Sequence, residues 1–275
     1  MVTRPYHGLG NRIRVVLSGQ LLAERHGRSF AYVWPTGRHF GARLDQLWQV
    51  DERRISPARS WLLARRHPYR DASLDWLPTA TSDNLWQIRT SQPIAFPEGI
   101  DEWHPLLRGL VPVPEIQERI MAVFDEHLRG RPYVGVMVRT HSVSHENTLK
   151  DSPLEWYLER LAQIRREHGD IPFYVSADTV AGEAAVREAF PGSVGLGDKG
   201  AYNSLQALQA SLVDLYLLAS SAHIIGPHYS SFPELASYLA EPAIRLETSQ
   251  SPEGSRLEVG DQLTVVSDPL RPWRR

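Results

Sequence analysis

Cysteine is absent from the chain of 275 residues. Its absence excludes disulfides and thiolate-held metals and fits a cytoplasmic protein. Lysine is almost absent too: of 30 basic residues, all but Lys150 and Lys199 are arginine. Genomic base composition is the plain explanation. The chemical consequence is that nearly every cation is a guanidinium, which holds phosphate and carboxylate bidentately. Neither charge dominates, and a net charge of −2 gives no overall attraction to nucleic acid or membrane. No stretch approaches the roughly 18 apolar residues that would suggest a membrane-spanning helix. The opening MVTRPYHG lacks the apolar segment of a secretory signal.

What is present is a hydrophobic fraction of 42%, enough for one large domain or two of ordinary size. Residues 8–11 precede a helix with Ile13, Val16, Leu17 and Leu21 on one stripe and Gly27 as its stop. Ser29–Trp34 reads as a strand. Residues 36–110 are rich in Arg, Trp and Pro with weak periodicity, and suggest short helices and loops, with 45–50 and 60–66 helical. Two prolines in Val111–Pro114 mark a connection, which places a domain boundary between 1–112 and 113–275. Beyond it a helix is expected over 115–128. Strands follow at 133–139, 171–176, 223–225, 243–246 and 263–266, with helices at 153–168, 181–190, 204–220 and 232–239. This alternation predicts an α/β fold of parallel βαβ units.

Four segments carry chemistry. Gly8-Leu9-Gly10-Asn11-Arg12 offers a tight turn or a close approach to a ligand, with Asn11 able to cap the helix. Val134–Arg139 is a strand buried on both faces that ends in Arg139, at the carboxyl edge where α/β sheets bind ligands. Arg139 there can clamp a diphosphate or simply pair with a carboxylate. The loop after it holds His141, His145, Glu146 and Asp151. The acids and His141 are candidate proton acceptors; the spacing of the two histidines also suits a metal, though no acidic cluster accompanies it and no metal is expected. Phe173–Thr179 is a strand ending at Asp178, placed to meet ribose or base donors or to cap the next helix.

The most specific segment is 214–236, DLYLLASSAHIIGPHYSSFPELA. A buried strand stops at Gly226-Pro227, and the loop His228-Tyr229-Ser230-Ser231 opens a helix whose first N–H groups attract anions. Ser231, Pro233 and Glu234 fit a capping box, which leaves Ser230 and the loop N–H groups for a ligand. Asp214, inside an apolar helix, requires a partner such as Arg or loop N–H groups.

Taken in order, GLGNRIR, VGVMVRT, FYVSADT and DLYLLASSAHIIGPHYSSF resemble the GDP-fucose-dependent fucosyltransferase superfamily, over 7–34 and 133–236. The resemblance implies a GT-B fold, two Rossmann-like domains facing a cleft. On this resemblance the N-terminal domain is short and lies on the acceptor side, with its first strand expected to be truncated or poorly matched. The C-terminal domain binds the nucleotide sugar. It implies inverting, metal-independent transfer from GDP-fucose to a hydroxyl, with no further cofactor. By position, Arg139 matches the first arginine of the family's H-x-R-R motif, which meets the diphosphate. Asp178 matches the acid near guanosine, and Ser230 and Ser231, with His228 in the same loop, match the late-motif serines. Gly10, Asn11 and Arg12 match the amino-domain lip. Met137 stands where the family has His, Thr140 where it has a second arginine, and Ser142 where an acid often follows. A binding module without turnover, or an enzyme using another donor, fits the same segments.

Overall fold

The computed structural model describes residues 1–97, 99–141 and 146–273. They fall into two compact units: Met1–Val113 with Asn203–Leu208, and Pro114–Tyr202 with Gln209–Arg275.

The first unit carries α1 (Leu9–Arg25), β1 (Ala31–Tyr32), β2 (Arg53–Arg54), α2 (Pro57–Leu63), β3 (Tyr69–Arg70), α3 (Leu77–Ala80), β4 (Gln87–Ile88) and α4 (His104–Arg108). β1 pairs with β2 and β3 with β4, both parallel. Val2 bridges Val33 on one side and Arg89 on the other, also in parallel. Val2 N–H donates to Ile88 O at 2.8 Å, and Thr3 N–H to Val33 O at 3.1 Å. The two pairs of strands are therefore joined through Met1–Thr3. The strand expected to be truncated is the central rung of this sheet, too short for alternation to reveal it. α1 ends as predicted, with Gly27 at φ +59°, a conformation costly for other residues. Between 44 and 50 only a single 3₁₀ turn forms, at Leu44–Gln46.

The second unit carries α5 (Pro114–Val123), β5 (Val134–Val138), α6 (Glu146–Asp151), α7 (Leu154–His168), β6 (Phe173–Ala177), α8 (Val180–Ala189), β7 (Val194–Gly195), the main part of α9 (Leu205–Ala219), β8 (His223–Ile225), α10 (Ser231–Leu239) and β9 (Leu246–Glu247). Its five strands lie in the order β7-β6-β5-β8-β9, all parallel. In parallel sheets helices cover both faces, so strands read as continuous apolar runs, and β5 and β6 are buried at every position. On one face Val134, Val136 and Val138 pack with Tyr157, Leu161 and Ile164 of α7. Each such side chain contributes about 1.5–3 kcal/mol by leaving water. Gly135 packs tightly: a Cβ there would stand 2.8 Å from Ser221 Oγ and 2.9 Å from Leu218 Cδ2.

Three expectations are corrected. Residues 263–266 form no strand; Val266 is buried and Leu263 packs on the core cluster, so the apolar alternation covers the core without joining a sheet. The last strand is shifted to Leu246–Glu247. The segment read as a loop holding Glu146 and Asp151 is helical over Glu146–Asp151. β7, two residues including a glycine, gave no signal.

A buried charge cluster closes the far edge of the sheet. Glu247 of β9 accepts from Arg160 Nε at 2.5 Å, lies 3.0 Å from His223 Nε2 and accepts from Leu257 N–H at 3.3 Å. Burial pushes the Glu247 carboxyl up, but hydrogen bonds from His223 and Arg160 and the Arg160 charge outweigh it, holding the pKa below the ordinary 4.5. A depressed carboxylate stabilises the fold above its unfolded pKa, and that stability is lost as pH falls through the folded value. Glu247→Gln is therefore expected to lower stability at neutral pH and flatten its decline below about pH 4.5, as read from urea midpoints across pH.

Candidate active site

In the strand order of the second unit, β6 and β7 are added on one side of β5 and β8 and β9 on the other, so the strand order, not the strand direction, reverses between β5 and β8. Ligands of open parallel sheets bind outside the carboxyl ends of the strands at such a reversal. Arg139 leaves β5 there, and the loop 226–230 leaves β8.

Arg139 is a quarter exposed, and its Nη1 lies 3.6 Å from Oδ2 of Asp178, whose side chain is only 8% exposed. Asp178 Oδ1 accepts from the N–H groups of Thr140 at 2.8 Å and His141 at 3.2 Å. One carboxylate thus fixes three consecutive residues leaving β5. The helix cap considered for Asp178 belongs to Thr179, whose side chain accepts from Gly182 N–H at 3.0 Å. Thr140 hydrogen bonds to the Thr179 hydroxyl, and a Cβ on Gly182 would stand 2.7 Å from Thr140 Oγ1. The position of the second arginine in the resembled motif is therefore a threonine seated on the start of α8. The His141 ring lies 4.4 Å from that of Tyr202, tilted by 30°. Tyr202 is 44% exposed; it follows β7 and carried no pattern by which to find it.

The loop after β8 is positioned from below and from its flank. Gly226 N–H donates to Glu247 O at 2.9 Å, and a Cβ on Gly226 would stand 2.8 Å from Pro233 Cβ. Only glycine lets the chain lie this close to the first turn of α10. His228 N–H donates to Ser152 Oγ at 2.9 Å, and Ser152 Oγ lies 3.3 Å from Ser249 Oγ. Tyr229 adopts φ +60°, and its ring stands edge-on to His228 at 4.2 Å. The capping box is not formed. Ser230 occupies the cap position without a side-chain cap bond, and Ser231 is the first helical residue. Pro233 has no N–H, so Ser231 and Phe232 present the first-turn donors. Tyr157 is fully buried. Burial, together with the Asp178 charge and against that of Arg139, keeps its phenol neutral, well above the ordinary 10.0.

Asp214 has found its partners, but they are not arginine or loop N–H groups. Lys199 Nζ donates to Asp214 Oδ2 at 2.7 Å and to Ala177 O at 2.8 Å, and Tyr174 Oη donates to Asp214 Oδ1 at 2.7 Å. This buried triad ties the carboxyl end of β6, beside Asp178, to α9. Glu183 accepts from Gly197 N–H at 3.0 Å and anchors the same loop.

Arg139, His141, Asp178, His228, Ser230 and Ser231 thus all stand at the carboxyl edge of one sheet. Glu146 opens α6 and is exposed; Asp151 ends α6 and is half-buried. His145, the partner in the metal pairing considered for His141, lies outside the described residues. Gly10, Asn11 and Arg12 belong to the first unit. There the cap of α1 is Gly8, at φ −71°, so Asn11 does not cap, and neither Gly8 nor Gly10 needs glycine's freedom. Asn11 Oδ1 is buried without a hydrogen-bond partner among the described residues. Arg12, expected at the ligand, is fully buried. It donates to His7 O at 2.7 Å, Pro35 O at 2.8 Å and Pro5 O at 2.9 Å, and lies 4.0 Å from the Phe40 ring centre. Burial lowers its pKa from 12.5 to about 10. Its donors are spent on holding the segment before α1.

Removing one member of a buried pair leaves the other charge uncompensated, at a cost of about 3–5 kcal/mol. Lys199→Met is expected to destabilise the chain by that amount in urea unfolding, whereas Lys150→Met, at an exposed position, is expected to change stability by less than about 0.5 kcal/mol.

No family pattern and no curated protein sequence matches the chain. Solved structures do. The fucosyltransferase NodZ from Bradyrhizobium aligns with 92% of this chain and 96% of its own, at 19% identity and a TM-score of 0.63. The NodZ α-1,6-fucosyltransferase soaked with GDP-fucose aligns with 86% of this chain and 91% of its own, at 20% identity and 0.61. POFUT1 in complex with GDP-fucose aligns with 91% of this chain and 98% of its own, at 13% identity and 0.55. The chain shares the α/β fold of these solved structures.

Proposed function

We propose that the chain is a cytoplasmic glycosyltransferase of GT-B organisation. In this reading, residues 1–112 serve the acceptor and 113–275 hold the nucleotide sugar. It transfers a deoxyhexose, fucose, from GDP-fucose to an acceptor hydroxyl, with inversion and without a metal ion. The observation that carries this reading is the gathering of Arg139, the loop 226–230 and the N-terminus of α10 at the strand reversal. Resemblance in the same segments, and relatives of the same fold solved with GDP-fucose, support the donor.

The chemistry follows from charge. The acceptor oxygen forms a bond to the anomeric carbon from the face opposite GDP. The bond to the β-phosphate oxygen breaks, and its electron pair leaves with GDP. The growing negative charge is met by the Arg139 guanidinium and the N–H groups of Ser231 and Phe232, preorganised donors that cost no rearrangement. Asp178 keeps Arg139 aimed by fixing the backbone of 140 and 141. The proton of the acceptor hydroxyl passes to a base, for which His141 and Glu146 are the candidates.

A second reading, a nucleotide-sugar-binding module without turnover, is favoured by one observation: Thr140 is turned into the fold, onto Thr179, where a second arginine would face the diphosphate.

Arg139→Ala is expected to cut the rate of GDP release from GDP-fucose with acceptor by about 10²–10³; an unchanged rate removes Arg139 from this role. GDP at 100 times its dissociation constant should add about 2.7 kcal/mol of stability. A melting point raised by GDP, without GDP release on any acceptor, selects the binding module. A shift with other nucleotides alone replaces the donor.

A further inference from the structure

Residues 53–70 contain six arginines and no acid, in a chain whose net charge is −2. Arg70 pairs with Asp83 at 3.2 Å. Arg53, Arg54, Arg59, Arg65 and Arg66 are exposed, and among the described residues no ion pair joins any of them to a carboxylate. Asp51 and Glu52 precede the run.

The helix within this segment, α2, shows two large apolar residues outward. Its inner side is held by a buried hydroxyl: Ser60 Oγ donates to Gln87 Oε1 at 2.8 Å and lies 3.1 Å from Tyr69 Oη. Leu63 and Ala64 are half-buried on that side. Trp61 and Leu62 point the other way, 61% and 56% exposed. Arg65 lies over the Trp61 ring at 4.9 Å. A helix turned with indole and leucine toward water, ringed by unneutralised guanidiniums, has the chemistry of an interfacial anchor.

We infer that the outer face of α2 docks the protein peripherally on a membrane surface bearing anionic lipids. Guanidiniums of Arg59, Arg65 and Arg66 pair with headgroup phosphates, with Arg53 and Arg54 adding to the attraction, while Trp61 and Leu62 seat below the headgroups. Trp is suited to that level because its ring is apolar and its N–H polar. A soluble polyanion would use the arginines but gains little from an exposed Leu62. No described helix is long and apolar enough to cross a membrane, so the contact is on the surface. It is independent of the proposed transfer reaction.

The test is co-sedimentation of the full chain with vesicles of pure phosphatidylcholine and of phosphatidylcholine with phosphatidylglycerol. Binding is expected only to the anionic vesicles and should weaken as salt is raised. Replacing Arg59, Arg65 and Arg66 together by Gln should weaken it about a hundredfold. The W61A/L62A double variant should weaken it about tenfold or more. All five positions are exposed, and unchanged melting points of the variants would show that folding is intact. Equal binding to neutral vesicles, or wild-type binding by either variant, overturns the inference. So does retention on heparin or DNA without vesicle binding, which assigns the patch to a soluble polyanion.

Discussion

Everything proposed for the site rests on one carboxylate. Asp178 ends the second strand of the sheet and holds three groups that end the first: the N–H groups of Thr140 and His141 and the guanidinium of Arg139. At 8% side-chain exposure its charge is little screened, so the bonds it accepts from the two N–H groups are stronger than ordinary ones. The cost of burying it is offset by those three partners. Without it, the main chain leaving β5 would lose its geometry and Arg139 its fixed direction. The salt-bridge reading of Arg139 and the ligand reading are therefore not opposed. The ion pair at 3.6 Å is long and leaves a quarter of the side chain open.

The same economy recurs around the edge. Lys199 and Tyr174 neutralise Asp214 and hold the end of β6; Ser152 holds His228; Glu247 holds the far strands from behind. Buried polar groups thus fix the segments that leave β5, β6 and β8. Rigid support lets the few exposed donors be preorganised, and this is what charge stabilisation in a reaction requires.

The second unit is legible because its strands are buried on both faces and its helices amphipathic, so that β5, β6, α7 and α9 appear as long apolar patterns, and the three residues of β8 are framed by α9 and Gly226-Pro227. Other short elements are not legible. Val2 and β7 act through one or two residues, and α6 is too brief for periodicity. The caps expected at Asn11, Asp178 and Ser231 lie one to three positions earlier or later, at Gly8, Thr179 and Ser230, which are equally capable of the backbone geometry. Arg12 shows a deeper limit. A guanidinium beside glycines reads as a ligand contact, yet its partners are three carbonyls from Pro5, His7 and Pro35. Nothing local marks a cation whose neutralisation comes from scattered main-chain dipoles. The Lys199–Asp214 pair was half visible: the need for a partner could be read, but its identity depends on how the loop after β7 folds back.

The most direct test of the account is a crystal structure of the chain grown with GDP. The account predicts the diphosphate at the strand reversal, its oxygens about 3 Å from the N–H groups of Ser231 or Phe232 and from the Arg139 guanidinium, with the Asp178 contacts to Thr140 and His141 unchanged. GDP bound elsewhere, or bound with Arg139 still turned wholly toward Asp178, would contradict it.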